Sequence, residues 1–429
     1  MTAMRDISRV NVAAFLAGNL VSLIGNTMTL VALPWFVLQE TGSAGKTGLT
    51  GMAFALPAFL AGIFGGILVD RLGGRRMSVI ADIVSGASVA LIPVLHLTVG
   101  LEFWQLLILV FFGAMLDIPG LTGRRTMLPG LAERSGIRPE AMNSSFEMSD
   151  AVAIIIGPAI AGVLIATIGA VNVLLFDAAT FAISAFLIGA CTPSIESAVD
   201  PNRSAKSSKA PGFRMNEILA GLRFIRADRL LFALAITLLF TNFFNGPFFS
   251  VIMPVVVHDR YGGASQYGWL LTAFGIGSLM GGASFGMFGH RVRAYRQQIW
   301  ISAFASVALM RWLLVPDLPF LWLMAAMGLA GLLSGPLNPL LVTVRFERIP
   351  LHLRGRVFAS FSALASIADP LGMAVFGNLI DRWGLDRILL ISAVCFTALL
   401  LALPFIRATR EMNIPSDETA PADRVSLST

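Results

Sequence analysis

The sequence predicts an all-α polytopic membrane protein of twelve transmembrane helices, arranged as two pseudo-symmetric six-helix bundles with both termini cytoplasmic. Composition, the spacing of apolar runs and the alternation of basic loops predict it. Of 429 residues, 56% are hydrophobic and 13% charged, against about 25% charged in a soluble domain. A soluble fold would leave that apolar surface uncovered. The apolar residues form runs near the ~20 that a helix needs to cross ~30 Å of hydrocarbon. The net charge of +6 does not point to nucleic acid, because the basic residues lie in the gaps between runs rather than on one soluble face.

In order, the apolar windows place spans near residues 11–38, 48–69, 78–98, 103–122, 148–168 and 171–191, then 230–256, 266–289, 298–316, 319–343, 357–380 and 386–406. The first is longer than a signal-peptide core, lacks a small-residue cleavage pattern and leads directly into further spans, so it is expected to remain. Cys191 and Cys395 are isolated from each other, which argues against a disulfide or a metal site. The longest polar interruption, Ser194 to Arg229, holds Lys206, Ser207, Ser208, Lys209 and Pro211 and reads as a linker. The expected organisation is an N-terminal bundle over 1–193, a cytoplasmic linker over 194–229, a C-terminal bundle over 230–407 and a disordered tail over 408–429. Within the linker, Asn216 to Arg226 sets Ile218, Leu222 and Ile225 on one face, which predicts an amphipathic helix along the inner membrane surface.

Orientation follows from the loops, because short basic loops stay on the cytoplasmic side. One side carries Arg5, Arg9, Arg71, Arg75, Arg76, Arg124, Arg125, Arg134, Arg138, the linker basics, Arg291, Arg293, Arg296, Arg345, Arg348, Arg354, Arg356, Arg407, Arg410 and Arg424. The other carries Lys46, Arg260, Arg382 and Arg387. The chain also repeats itself. Gly66 to Arg71, leading to Arg76, matches Gly286 to Arg291, leading to Arg296; Arg124 and Pro129 match Arg345 and Pro350; Gly162 and Gly169 match Gly377 and Gly384. A duplicated six-helix unit can rock about a central site, so solute transport is the leading expectation.

Gly66-x-x-x-Asp70-Arg71-x-Gly73-Gly74-Arg75-Arg76 resembles the cytoplasmic loop marker of the major facilitator superfamily. Val31-Ala32-Leu33-Pro34-Trp35, Thr41-Gly42-Ser43-Ala44, Ile156-Gly157-Pro158-Ala159-x-Ala161-Gly162 and Arg354-Gly355-Arg356-Val357-Phe358 narrow the likeness to macrolide-type drug exporters and the enterobactin exporter. The resemblance covers about residues 10 to 405. It implies that Asp70 and Arg71 act as a conformational latch, with Asp82 and Asp117 as partners at the same membrane level. It also implies that Gly157, Pro158 and Gly162 form the helix-packing motif that accompanies export in this family. Ordinary small-residue packing is the alternative. The fourth span departs from many proton-coupled relatives, since Trp104 to Gly113 contains no basic residue.

An ionisable group at bilayer depth costs at least ~2.5 kcal/mol to insert, so each invites a function. Asp369 lies near the midplane of the eleventh span and is the first candidate to exchange a proton as a cavity opens and closes; bonding backbone groups freed at Pro370 is the alternative. Asp177 is a second candidate or reaches outer-interface water. Asp150, with Glu147, is expected at the inner start of the fifth span, where acidic groups complement a helix N-terminus. Arg311 is expected to snorkel to the outer interface. Asn19, Asn26, Trp35, Asn242, Phe243, Asn245 and Asn338 are the candidate cavity residues, apolar walls with a few polar handles suiting an amphipathic solute.

The expected function is a secondary exporter of small amphipathic compounds, driven by the proton gradient and with no cofactor. The alternatives are an exporter of one endogenous metabolite such as a siderophore, an importer of the same fold, or a non-transporting membrane sensor or scaffold. No nucleotide-binding loop of the Gly-x-x-x-x-Gly-Lys-Ser/Thr type appears, and no Ser/His pair falls at depth, so an enzyme is not expected. The expected partners are a small-molecule substrate and the lipid bilayer, with no nucleic acid. The expected state is a monomer in a bacterial cytoplasmic membrane.

Overall fold

Inside a bilayer the backbone has no water to bond, so an apolar run satisfies its own N–H and C=O groups by closing into a helix. The computed structural model describes the backbone of residues 2–192 and 215–413, and their side chains apart from those of residues 2–8, 58, 59, 61–67, 215–218, 352, 365 and 366. The helices are α1 (Thr2–Thr41), α2 (Ala44–Leu72), α3 (Gly74–Thr98), α4 (Phe103–Met115), α5 (Asp117–Ser135), α6 (Pro139–Ile168), α7 (Ala170–Cys191), α8 (Met215–Ala227), α9 (Arg229–Pro247), α10 (Met253–Arg260), α11 (Ala264–Phe288), α12 (Arg296–Leu313), α13 (Phe320–Ser334), α14 (Leu337–Arg348), α15 (Arg354–Trp383) and α16 (Leu385–Ala402). Among the described residues, ten helical stretches are long and apolar enough to cross a membrane. The protein is an all-α, multi-pass integral membrane protein.

Three spans are interrupted, and proline stands at or beside each interruption. α4 gives way to α5 at Leu116, where Pro119 has no N–H to continue the ladder. The break leaves Asp117 in the first turn of α5. α9 passes into α10 through a π-helical turn, Phe248–Ile252, directly after Pro247, and such turns often accompany functional sites. α13 and α14 are separated at Gly335 and Pro336.

The chain forms two compact units. The first comprises Met1–Arg214, Asn242–Thr272 and Ala365–Ile388; the second comprises Met215–Thr241, Ala273–Leu364 and Leu389–Thr429. In the first, close glycine contacts bring later segments onto the early helices. A Cβ on Gly377 would lie 3.1 Å from Gly48 Cα, and one on Gly162 would lie 3.2 Å from Gly268 Cα. At the end of this unit where α1 finishes, the Asp381 carboxylate of α15 caps the first turn of α2. It accepts from Ser43 Oγ at 2.6 Å, Ala44 N at 2.8 Å and Gly45 N at 3.0 Å. A carboxylate on free N–H groups at a helix N-terminus meets both the orphan donors and the helix dipole.

The second unit corrects three expectations. Arg311 does not snorkel: it is 0% exposed, donates to Ser392 Oγ at 3.2 Å and Val307 O at 3.1 Å, and lies 4.0 Å over the Phe396 ring. Its position near the end of an apolar run does not set its depth, because the polar hydroxyl and the aromatic face of α16 offer it a seat inside. Replacing Arg311 with Ala should lower stability by about 3 kcal/mol through the void and lost bonds, read as a lower melting temperature of the detergent-purified protein. The amphipathic helix is present as α8, but it does not simply rest on a membrane surface. Ile225 is buried, and a Cβ on Gly221 would come 3.0 Å from Arg356 C. The expected contribution of Ile218 to that face lies outside the described side chains. The tail is ordered as far as Asn413: Glu411 pairs with Arg348 at 2.7 Å, Met412 is buried and Asn413 Oδ1 accepts from Gln297 N at 3.0 Å. Residues 414–429 lie outside the described chain, as does most of the expected linker.

Candidate functional site

The first unit holds a cavity of about 370 Å³, within the range that holds small-molecule ligands. α1 contributes Thr29, Leu30, Leu33 and Pro34, α2 contributes Thr50, Gly51, Phe54 and Ala55, and the α4–α5 break contributes Ala114, Asp117 and Ile118. Ser250 enters from the π-helical turn, and Asp369 and Met373 from α15. The walls are largely apolar, with two carboxylates among them. Asp369 reaches its place because Gly246 has no side chain: a Cβ there would come 2.7 Å from Asp369 Oδ1.

Behind this cavity runs a buried polar column. α1 places Asn19, Ser22, Asn26 and Thr29 on one face, α3 places Ser78, Asp82 and Ser85, α5 places Asp117 and Arg124, and α7 places Asp177, Thr180 and Ser184. Each set follows the three- and four-residue steps that keep side chains on one helical face. At its heart, Arg124 is 5% exposed and Asp82 2%, with Arg124 Nη2 2.5 Å from Asp82 Oδ1. Arg124 donates also to Ser78 Oγ at 3.0 Å, Asn19 Oδ1 at 3.1 Å and Ser22 Oγ at 3.1 Å. Ser184 Oγ donates to Asp82 Oδ2 at 2.7 Å. Nearer the cavity, Ser85 Oγ lies 3.1 Å from Asp117 Oδ1. Thr29, itself on the cavity wall, donates to Asp177 Oδ2 at 2.5 Å. Buried charges persist when paired and hydrogen-bonded in this way.

These placements revise several sequence expectations. Asp82 and Asp117, expected opposite Arg71, turn instead to Arg124 and Ser85. The cause is depth: Asp82 sits eight residues into α3, about 12 Å along at 1.5 Å per residue, whereas Arg71 precedes that helix and is exposed. Asp70 and Arg76 are exposed as well. Arg75 is the loop residue that reaches another helix, donating to Ile188 O at 3.4 Å and to Gly189 O at the end of α7. The loop glycines have their own reasons. Gly73 adopts φ +79°, and a Cβ on Gly74 would come 2.5 Å from Gly123 O. The surroundings of Gly66 lie outside the described side chains.

Asp177 does not reach interface water, being 0% exposed. Asp150 is half-buried, and neither it nor Glu147 stands at a helix start, since α6 begins at Pro139 with Glu140 in its first turn. Asn19 belongs to the Arg124 network, Trp35 is buried with its ring 5.7 Å from His258, and Phe243 packs 5.8 Å from Phe376. Asn26 lines a smaller chamber beside the cavity. Asn242 and Asn245 are half-buried on α9 and Asn338 is exposed on α14. Gly157 lets α6 close on α1, where a Cβ would come 2.8 Å from Thr27 Cβ and where Thr27 Oγ1 donates to Ala153 O at 3.1 Å. Pro158, next in the motif, is buried. By sequence position Arg124 reads as a loop charge, and nothing in the sequence singles out the α2 wall. The step of seven from Asp117 to Arg124, repeated from Ser78 to Ser85 and from Asp177 to Ser184, was the available signal.

Comparison with known proteins agrees with this architecture. The family model described as Major Facilitator Superfamily matches residues 15–373. The chain is 34% identical over 395 residues to the multidrug efflux pump Tap of Mycolicibacterium fortuitum, covering 91% of this chain and 94% of that one. It is 24% identical over 411 residues to macrolide efflux protein A of Streptococcus pyogenes, covering 93% and 96%. The crystal structure of the nucleoside transporter NupG superposes with a TM-score of 0.75 at 12% identity, covering 92% of this chain and 98% of that one. With helices of membrane-spanning length and a solute-sized cavity, the chain belongs to the Major Facilitator Superfamily and is a secondary transporter of small molecules.

Proposed function

We propose that this protein exports small amphipathic compounds from the cytoplasm in exchange for protons, using the cavity bounded by Asp117 and Asp369. The observation that carries the reading is the cavity itself: about 370 Å³ of mostly apolar wall with two carboxylates on it. Apolar walls bind an amphipathic solute without demanding one hydrogen-bond pattern. A carboxylate in a site alternately open to each side offers the proton that must travel the other way. Asp177, one hydrogen bond behind Thr29, and Asp150 are the secondary coupling candidates. The identity to a multidrug efflux pump and to a macrolide efflux protein supports export and drug-like solutes.

The same reading takes the chain as twelve spans in two pseudo-symmetric bundles, with both termini cytoplasmic. Helices α2 and α12, beside the ten stretches of spanning length, support that count, and the interruptions at Leu116 and at Gly335 and Pro336 support the repeat. Asp70 and Arg71 act as a latch in a state with the opposite end open. The transporter works as a monomer in the cytoplasmic membrane, and the proton gradient is its energy source.

In energised everted vesicles, ethidium should accumulate in the lumen when this protein is present, and a protonophore should collapse that accumulation at least tenfold. Transport that survives the protonophore would overturn proton coupling. A folded, inserted protein that moves no dye would favour the exporter of one endogenous metabolite, as the likeness to the enterobactin exporter suggests.

A further inference from the structure

Two cavities of the first unit share a wall. Asp117 and Ile118 line the 370 Å³ cavity and also a second chamber of about 110 Å³, whose remaining lining includes Ser22, Asn26, Asp82 and Arg124. That space is ample for water, which needs about 10–15 Å³ of such volume and two to four polar partners. The chamber supplies them from α1, α3 and α5. Asp117 thus stands with the solute on one side and the buried Asp82–Arg124 pair on the other.

We propose that Asp117 passes protons between the solute cavity and Asp82 through this chamber, so that the proton leaves the cavity by the interior of the helix bundle and not by the solute's route. The inference rests on the proton-coupled reading above. In the transfer, the carboxylic acid of Asp117 gives its proton to a chamber water, and the water relay delivers one to the Asp82 carboxylate. An O–H bond breaks on Asp117 as one forms on Asp82, and the net charge of the site is unchanged. Arg124 then faces a neutral partner, while Asp117, seven residues earlier on the same face of α5 and about 10 Å along it, carries the negative charge.

The charged and titratable groups around Asp117 are few. Asp82 faces it from α3, Arg124 from α5, Asp177 from α7 behind Thr29, and Asp369 from α15 across the cavity. The cavity and chamber residues of α1 and α2 are neutral. α3 and α5 close on one another at Gly120, where a Cβ would come 2.7 Å from Ala81 Cβ, and the chamber opens beside that contact between Asp117, Asp82 and Arg124.

The test counts protons released per ethidium bound, using a pH indicator in weakly buffered detergent solution, and in parallel measures ethidium counterflow in proteoliposomes without a gradient. Asp117→Asn should release at least tenfold fewer protons per bound dye than the wild type. Asn26→Leu, which takes a polar partner out of the chamber and leaves the solute-cavity lining and the Asp82–Arg124 pair in place, should keep counterflow within about twofold yet lose gradient-driven accumulation. Wild-type proton release by Asp117→Asn, or wild-type driven accumulation by Asn26→Leu, would overturn the relay. Loss of counterflow in Asn26→Leu would overturn it too, showing the chamber to serve packing and not the proton. If the wild type itself releases no protons, the coupling reading fails and the relay with it; if only the variants behave as wild type, the relay alone falls.

Discussion

Arg124→Ala should destabilise the protein by about 3–5 kcal/mol, the range for removing one partner of a buried ion pair. The loss strands the Asp82 carboxylate, 2% exposed, and removes the donor that gathers Ser78, Asn19 and Ser22. Four helices lose their common anchor at once, since those side chains come from α3 and α1 and the column continues through Ser184 of α7. The expected readout is a sharp fall in the yield of monodisperse protein and in its melting temperature. Arg124→Lys should recover part of it, because the charge returns without the forked geometry that reaches several oxygens. Asp82→Asn should be nearly as costly, for it leaves the guanidinium without its carboxylate.

Asp381→Ala should open the end of the molecule where α1 meets α2. It removes an acceptor shared by Ser43 Oγ, Ala44 N and Gly45 N. Charge-assisted bonds of this kind are worth about 1.5–3 kcal/mol each when isolated. A net loss of about 2 kcal/mol would shift the balance of closed and open states roughly 30-fold. With Cys191 and Cys395 replaced by Ser, a cysteine introduced at Thr50, on the cavity wall, reports the shift. A membrane-impermeant maleimide added on the Lys46 side should label it more than tenfold faster when Asp381→Ala is also present. An unchanged rate would mean that the cap stabilises α2 without holding the gate.

The two results would test parts of the protein that the sequence showed unequally. The ten long apolar helices were legible among the described residues because a bilayer forces a long apolar run into a helix, and their interruptions coincide with prolines that remove an N–H. Rotation of each helix about its axis was not legible. Asn242, Asn245 and Phe243 lie on a span that reaches the cavity, yet Ser250 is the side chain it presents there. An apolar helix carries little record of which face is lipid and which is protein, so counting along the span locates depth and not direction.

Arg124 and Arg311 were misjudged for a related reason. Both sit near the expected ends of apolar runs, where arginine ordinarily points to water. Both instead face polar stripes on neighbouring helices, Ser78 and Asp82 for one and Ser392 for the other. The spacing of those stripes is written in the chain, but their convergence is a property of packing. Asp369, which lines the cavity, stands out in the sequence because the cost of inserting a carboxylate makes it conspicuous whatever its orientation. Asp117 reads as a latch partner because it falls late in the fourth span, at the membrane level of Arg71, while the break at Leu116 carries it to the cavity.

The central claim is that a cavity carboxylate couples solute movement to protons. Its most direct test is ethidium uptake by proteoliposomes under an imposed pH gradient, lumen acidic, comparing wild type with Asp369→Asn at matched incorporation. The account predicts that the gradient drives dye inward through the wild type and that Asp369→Asn shows at least a tenfold smaller gradient-dependent rate. Equal gradient-driven rates in the two proteins would contradict it and remove Asp369 from the coupling mechanism.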